Sequence, residues 1–66
     1  MKNKIQEVRK AAGITQKALS ELSGVPKRTI EDWEAQKNEP GAYKLYSIAK
    51  VLNCSIEDLI DEEKPE

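Results

Sequence analysis

A chain of 66 residues with one cysteine and no histidine lacks two of the usual supports of a small fold. Cys54 has no second thiol, so no internal disulfide can form. One thiol without an imidazole cannot enclose a zinc ion either. Domains this short bury only about 60% of the surface that their unfolded chains expose, which leaves a thin margin of stability. Regular helix packing remains, with self-association as a second support. The length allows one domain and no more.

The same counts narrow the chemistry. Without histidine, neither a serine nor a cysteine nucleophile has its usual base. A chain of this length seldom encloses the roughly 300–1,000 Å³ that a ligand pocket needs. The expectation is a protein that is not an enzyme and holds no cofactor and no metal. No apolar run approaches the ~18 residues of a membrane span. The opening Met1-Lys2-Asn3-Lys4-Ile5 leads into an amphipathic segment rather than a signal-peptide core. A soluble, cytoplasmic protein is expected.

The formal net charge of -1 conceals an asymmetry. Residues 1–54 carry ten Lys or Arg against six Asp or Glu, whereas residues 55–66 carry six acidic groups and only Lys64. A basic body with an acidic end is compatible with an anionic partner, although the overall pI hides it.

Hydrophobic spacing predicts five short helices and no strand. The first covers Asn3 to Ala12, with Ile5 and Val8 inward, and Gly13 stops it. Thr15 is placed to cap a second helix, Gln16 to Ser23, whose inner face carries Leu19 and Leu22. Gly24 ends that helix, and Pro26 suits the opening turn of a third, about residues 26–35, which buries Ile30 and Trp33. After the polar loop Lys37-Asn38-Glu39-Pro40-Gly41, a fourth helix runs from Ala42 to Leu52 with Leu45, Ile48 and Leu52 inward. Asn53 can close it in the left-handed conformation. Ser55 and Asp58 have the spacing of a capping box and open a short fifth helix bearing Ile56 and Leu59. The domain therefore spans 1–60, and an acidic tail, 61–66, is expected to be disordered.

The second and third helices, joined by Gly24-Val25, have the form of a helix-turn-helix. The wider pattern is Arg9, Gly13-Ile14-Thr15-Gln16, Leu19-Ser20, Gly24-Val25, Ile30, Trp33-Glu34, Pro40, Ile48-Ala49, Leu52 and Ser55-Ile56. It resembles the lambda-repressor-like (Cro/C-type, XRE-like) helix-turn-helix family of phage repressors, Cro-type proteins and small bacterial regulators. The resemblance covers about residues 5–60. It implies an all-α, compact five-helix DNA-binding domain.

It also implies a mode of action. The third helix would enter the major groove of double-stranded DNA, and the second would cross the backbone. Thr15 and Gln16, at the start of the second helix, would hold a phosphate. Lys27 and Arg28 would reach guanine, Asp32 could accept from cytosine, and Thr29 lies on the same turn. Lys37 and Asn38 are the backbone contacts left in a loop where Glu39 replaces a frequent basic residue. Family members often join the positions of Arg9 and Glu34 in a partly buried ion pair, and often have glycine where Gln36 stands.

The function expected is sequence-specific transcriptional regulation, most simply repression, by a weak homodimer on a palindromic operator. The competing reading is a protein-interaction module, an antitoxin or adaptor with a protein partner and weak DNA binding. It draws on the acidic tail and on Glu31 and Asp32 beside the reading face. Cys54 reads as a buried, inert thiol. Tyr43 and Tyr46 belong either to the core edge or to an interface.

Overall fold

The computed structural model describes residues 2–61, with the backbone alone for Asp61. Four helices carry the chain: α1 (Ile5–Ala11), α2 (Gln16–Ser23), α3 (Lys27–Glu34) and α4 (Ala42–Leu52). A single 3-10 turn, Glu57–Leu59, follows α4. Two-residue strands, β1 (Lys2–Asn3) and β2 (Ile60–Asp61), pair antiparallel with Asn3 opposite Ile60. The acidic tail expected beyond that point lies outside the described residues.

The helix ends follow from local chemistry. The Thr15 hydroxyl caps α2 by accepting from the Ala18 N–H at 3.1 Å. Gly24 ends α2 in the left-handed region, φ 78°, where a glycine carries no side-chain penalty. Its N–H donates to the Ser20 carbonyl at 2.9 Å. Asn53 closes α4 at φ 56°, and the Cys54 N–H donates to the Ala49 carbonyl at 3.0 Å.

One cluster of Ile5, Leu19, Val25, Ile30, Trp33, Leu45, Ile48, Ala49, Leu52 and Leu59 forms the core, and Val8 and Ile56 pack half-buried against it. Leu22 is a correction. Its expected inward place is not taken, and it stands 66% exposed. The chain turns at Gly24 directly after α2, so the last turn of that helix clears the core and Val25 is buried instead.

The fifth helix is a second correction: among the described residues there are four helices. Between the left-handed Asn53 and the β2 pairing six residues remain, and they close with i→i−3 bonds, the Asp58 N–H to the Ser55 carbonyl at 3.2 Å and the Leu59 N–H to the Ile56 carbonyl at 2.9 Å. The capping box forms nonetheless, with the Ser55 hydroxyl accepting from the Asp58 N–H and the Asp58 carboxylate accepting from the Ser55 N–H, each at 3.2 Å. It closes the 3-10 turn, which still delivers Leu59 to the core. The Lys4 N–H donates to the Leu59 carbonyl at 2.7 Å, and the chain ends are joined. That pairing removes Asn3 and Lys4 from α1, which starts at Ile5 rather than at Asn3. Pro26 stands one residue outside α3, as its cap.

Candidate nucleic-acid interface

The turn between α2 and α3 is pinned from within. The Ser20 hydroxyl donates to the Val25 carbonyl at 2.6 Å, and the Ser23 hydroxyl accepts from the Val25 N–H at 3.2 Å. Ser20 is small where α2 and α3 meet, and its hydroxyl also closes the turn. Pro26 then sets the backbone at φ -55° for the first residue of α3. With Ile30 and Trp33 buried on one face of α3, the opposite face is turned outward. Arg28 has 86% of its side chain exposed there, and Lys27 is exposed beside it. Thr29 and Asp32 are half-buried.

Each cation of this face has a carboxylate one turn on. Lys27 Nζ lies 3.4 Å from Glu31, and Arg28 Nε lies 3.9 Å from Asp32. The second distance is too long for a hydrogen bond. Exposed pairs of this spacing are worth about 0.3–0.5 kcal/mol, so they hold neither side chain against a stronger partner.

Behind α3 lies a buried charge cluster. Arg9 of α1 donates from Nε to one Glu34 oxygen at 2.7 Å and from Nη2 to the other at 3.0 Å. Its Nη1 donates to the Ile14 carbonyl at 2.8 Å. The hydrogen bond to Glu34 raises the Arg9 pKa above the usual arginine range, against the opposing effect of burial. Gln16 Nε2 also donates to Glu34, at 3.0 Å, so α1, α2 and α3 meet on one carboxylate. That Nε2 has a second hydrogen, which leaves Gln16 able to meet an oxygen outside. The main-chain N–H groups of Gln16 and Lys17 have no partner among the described residues. They stand at the positive end of the α2 dipole.

The far end of α3 turns sharply. The Gln36 N–H donates to the Trp33 carbonyl at 3.0 Å and the Lys37 N–H to the Asp32 carbonyl at 2.9 Å, the two bonds of a Schellman closure. Gln36 takes the left-handed position itself, φ 60°. Lys37 and Asn38 follow it, exposed.

Other features carry no comparable chemistry. Burial and the nearby Asp58 carboxylate push the half-buried Cys54 thiol up, away from the reactive thiolate. Among the described residues no three His, Cys, Asp or Glu side chains could hold a metal ion. No described helix is long and apolar enough to cross a membrane. Tyr43 stands 88% exposed on α4, and Lys50 Nζ lies 5.5 Å from the centre of the half-exposed Tyr46 ring.

Residues 5–59 match the pattern of the helix-turn-helix family. An uncharacterized HTH-type transcriptional regulator of Archaeoglobus fulgidus is 41% identical, covering 96% of this chain and 94% of its own. Repressor protein C2 of Salmonella phage P22 is 35% identical over 91% of this chain, which spans 28% of that larger protein. The solution structure of the DNA-binding domain of the P22 C2 repressor superposes with a TM-score of 0.77 at 35% identity, covering 82% of this chain and 71% of the domain.

Proposed function

The chain belongs to the helix-turn-helix family, and from that premise we propose that it is a DNA-binding transcriptional regulator, a repressor, reading the major groove with α3. The observation that carries the reading is the outward amino-terminal turn of α3. Arg28 and Lys27 project there from a helix whose other face is locked into the core. A docked helix can place a side chain against a base edge only if its own position is fixed, and Ile30 and Trp33 supply that fixity. Thr29 and Asp32, on the same surface, complete the reading set. Thr15, Gln16 and the free amides of α2 would hold one phosphate, and Lys37 and Asn38 another. The role is binding without chemistry on a substrate, in the cytoplasm.

Selection of bound duplexes from a random pool tests the proposal, and absence of any enriched site would leave the protein-interaction reading in its place. Within the selected site, Arg28→Ala is expected to weaken binding by about 1–3 kcal/mol and to relax preference at one base pair per half-site. Lys37→Ala is expected to weaken all sequences alike and to lower the salt slope by about one per subunit. If Arg28→Ala changes only the slope, Arg28 grips the backbone and base reading passes to Lys27 or Asp32.

One reading helix covers few base pairs, so two copies on half-sites about one helical turn apart are expected. The dimer is weak and forms on DNA, with the protein monomeric at micromolar concentration. A footprint confined to one half-site, with no gain in affinity for a palindrome, rejects it.

A further inference from the structure

The carboxyl-terminal end of α3 is held by a side chain from the opposite end of the sequence. Gln36 adopts φ 60°, a conformation that costs a non-glycine residue free energy unless something fixes it. Its carboxamide closes on Asn3. Gln36 Oε1 accepts from the Asn3 main-chain N–H at 3.3 Å and from Asn3 Nδ2 at 3.4 Å, and Gln36 Nε2 donates to the Asn3 carbonyl at 3.2 Å. Asn3 Nδ2 also donates to the Trp33 carbonyl at 2.8 Å, and Asn3 Oδ1 accepts from the Ile5 N–H at 3.2 Å. Asn3 is itself paired with Ile60 in the β1–β2 ladder. One residue of the terminal ribbon thus ties together the start of α1, the end of α3 and the turn that follows.

We propose that Asn3 and Gln36 are positioning residues for the DNA backbone: their clasp fixes the left-handed turn from which Lys37 and Asn38 meet phosphates. The inference rests on the DNA-binding reading above. If Gln36 relaxed to an ordinary φ, the Lys37 N–H would leave the Asp32 carbonyl, and Lys37 and Asn38 would swing away from the end of α3. A phosphate contact made by a fixed donor avoids the ordering cost that a mobile loop incurs on binding. A glycine at 36 would permit the same turn but would not hold it. Glutamine does both, and its reach to Asn3 is the reason.

The test uses Gln36→Gly and Gln36→Asn. Both residues tolerate the left-handed region, and neither spans the distance to Asn3. Both variants are expected to melt cooperatively within a few degrees of wild type. Each should bind the duplex selected from the random pool about three- to tenfold more weakly, the loss of one ordered hydrogen-bonding unit. The decisive measurement is a mutant cycle with the double substitution Lys37→Ala and Asn38→Ala. Its penalty on binding should shrink at least about threefold in the Gln36→Gly background, because Gln36 acts through those two residues. Equal penalties in both backgrounds overturn the proposal. If the wild-type protein binds no duplex at all, the DNA-binding reading fails, and hydrogen exchange at the Gln36 and Lys37 amides, which donate to the Trp33 and Asp32 carbonyls, then judges the clasp separately. Exchange about tenfold faster in Gln36→Gly upholds the holding of the turn; unchanged exchange overturns it.

Discussion

Trp33→Ala is expected to unfold the domain or leave it barely folded. The indole is buried in the cluster that joins all four helices, and its removal leaves a cavity that short helices cannot all close on at once. Truncation of a buried tryptophan costs about 3–5 kcal/mol. A domain of 66 residues has a total stability of only about 3–10 kcal/mol at ordinary values per residue. In a chain of this size each 1 kcal/mol moves the melting temperature by about 4–8 °C, so a fall of about 12–40 °C is expected. Circular dichroism is the measurement, since the variant has no tryptophan left to report by fluorescence. A cooperative melt within a few degrees of wild type would show that α3 is anchored by Ile30 and its capping bonds alone. DNA binding should disappear together with the melt, because Lys27 and Arg28 have no fixed orientation once α3 is loose.

The anchoring of α3 was legible in the sequence for a simple reason. Ile30 and Trp33 are three apart on a helix bounded by Pro26, so spacing alone puts them on one face. Thr15 as a cap, Gly24 as a left-handed turn and Asn53 as a helix end were legible on the same terms, since each depends on neighbours within four residues. Leu22 shared its spacing with Leu19 and was misread, because its burial depends on where the chain goes after Gly24. The β1–β2 ribbon was missed because two-residue strands have no alternation to detect. The loss of the fifth helix follows from that ribbon, since Ile60 cannot serve both a helix and a ladder. The Asn3–Gln36 clasp left one trace, a glutamine where the resembling family often has glycine. Its partner is 33 residues away, beyond the reach of any local rule.

Electrostatically the surface proposed to read DNA differs from a plain basic patch. Lys27 and Arg28 each have a carboxylate one turn on, so the free protein presents a face that is nearly neutral at a distance. Weak exposed pairs of this kind lower non-specific attraction to phosphates, which scales with the cations offered. They cost little to open against a base edge. A regulator built this way would depend more on matched base contacts than on general attraction, and its non-specific binding should be modest for its fold.

The charge cluster behind α3 leads to the second large effect. The Glu34 side chain is 3% exposed and the Arg9 side chain 10%, and the two share a bidentate pair. Glu34→Ala leaves a guanidinium in the interior with only the Ile14 carbonyl, and Arg9→Ala leaves a carboxylate with only Gln16. Removing one partner of a buried pair costs about 3–5 kcal/mol, since the surviving charge has lost its compensation. Either single substitution is therefore expected to bring the domain close to unfolding, read by the fluorescence of Trp33. Replacing both together, Arg9→Met with Glu34→Leu, should restore most of the loss, because no uncompensated charge remains. The Arg9 pKa is raised in the folded state, so the stability that it contributes is complete below the ordinary arginine value. That contribution is lost only as pH rises through the higher folded value, and no weakening from Arg9 is expected between neutral pH and the arginine range. Should the single variants melt near wild type, the pair is a solvated contact and α1, α2 and α3 are held by the apolar core alone. Should the double variant be as unstable as either single one, the missing hydrogen bonds to the Ile14 carbonyl and from Gln16 matter more than the charges, and Arg9→Met with Glu34→Gln, which keeps an uncharged acceptor for Gln16, should then be more stable than Arg9→Met with Glu34→Leu.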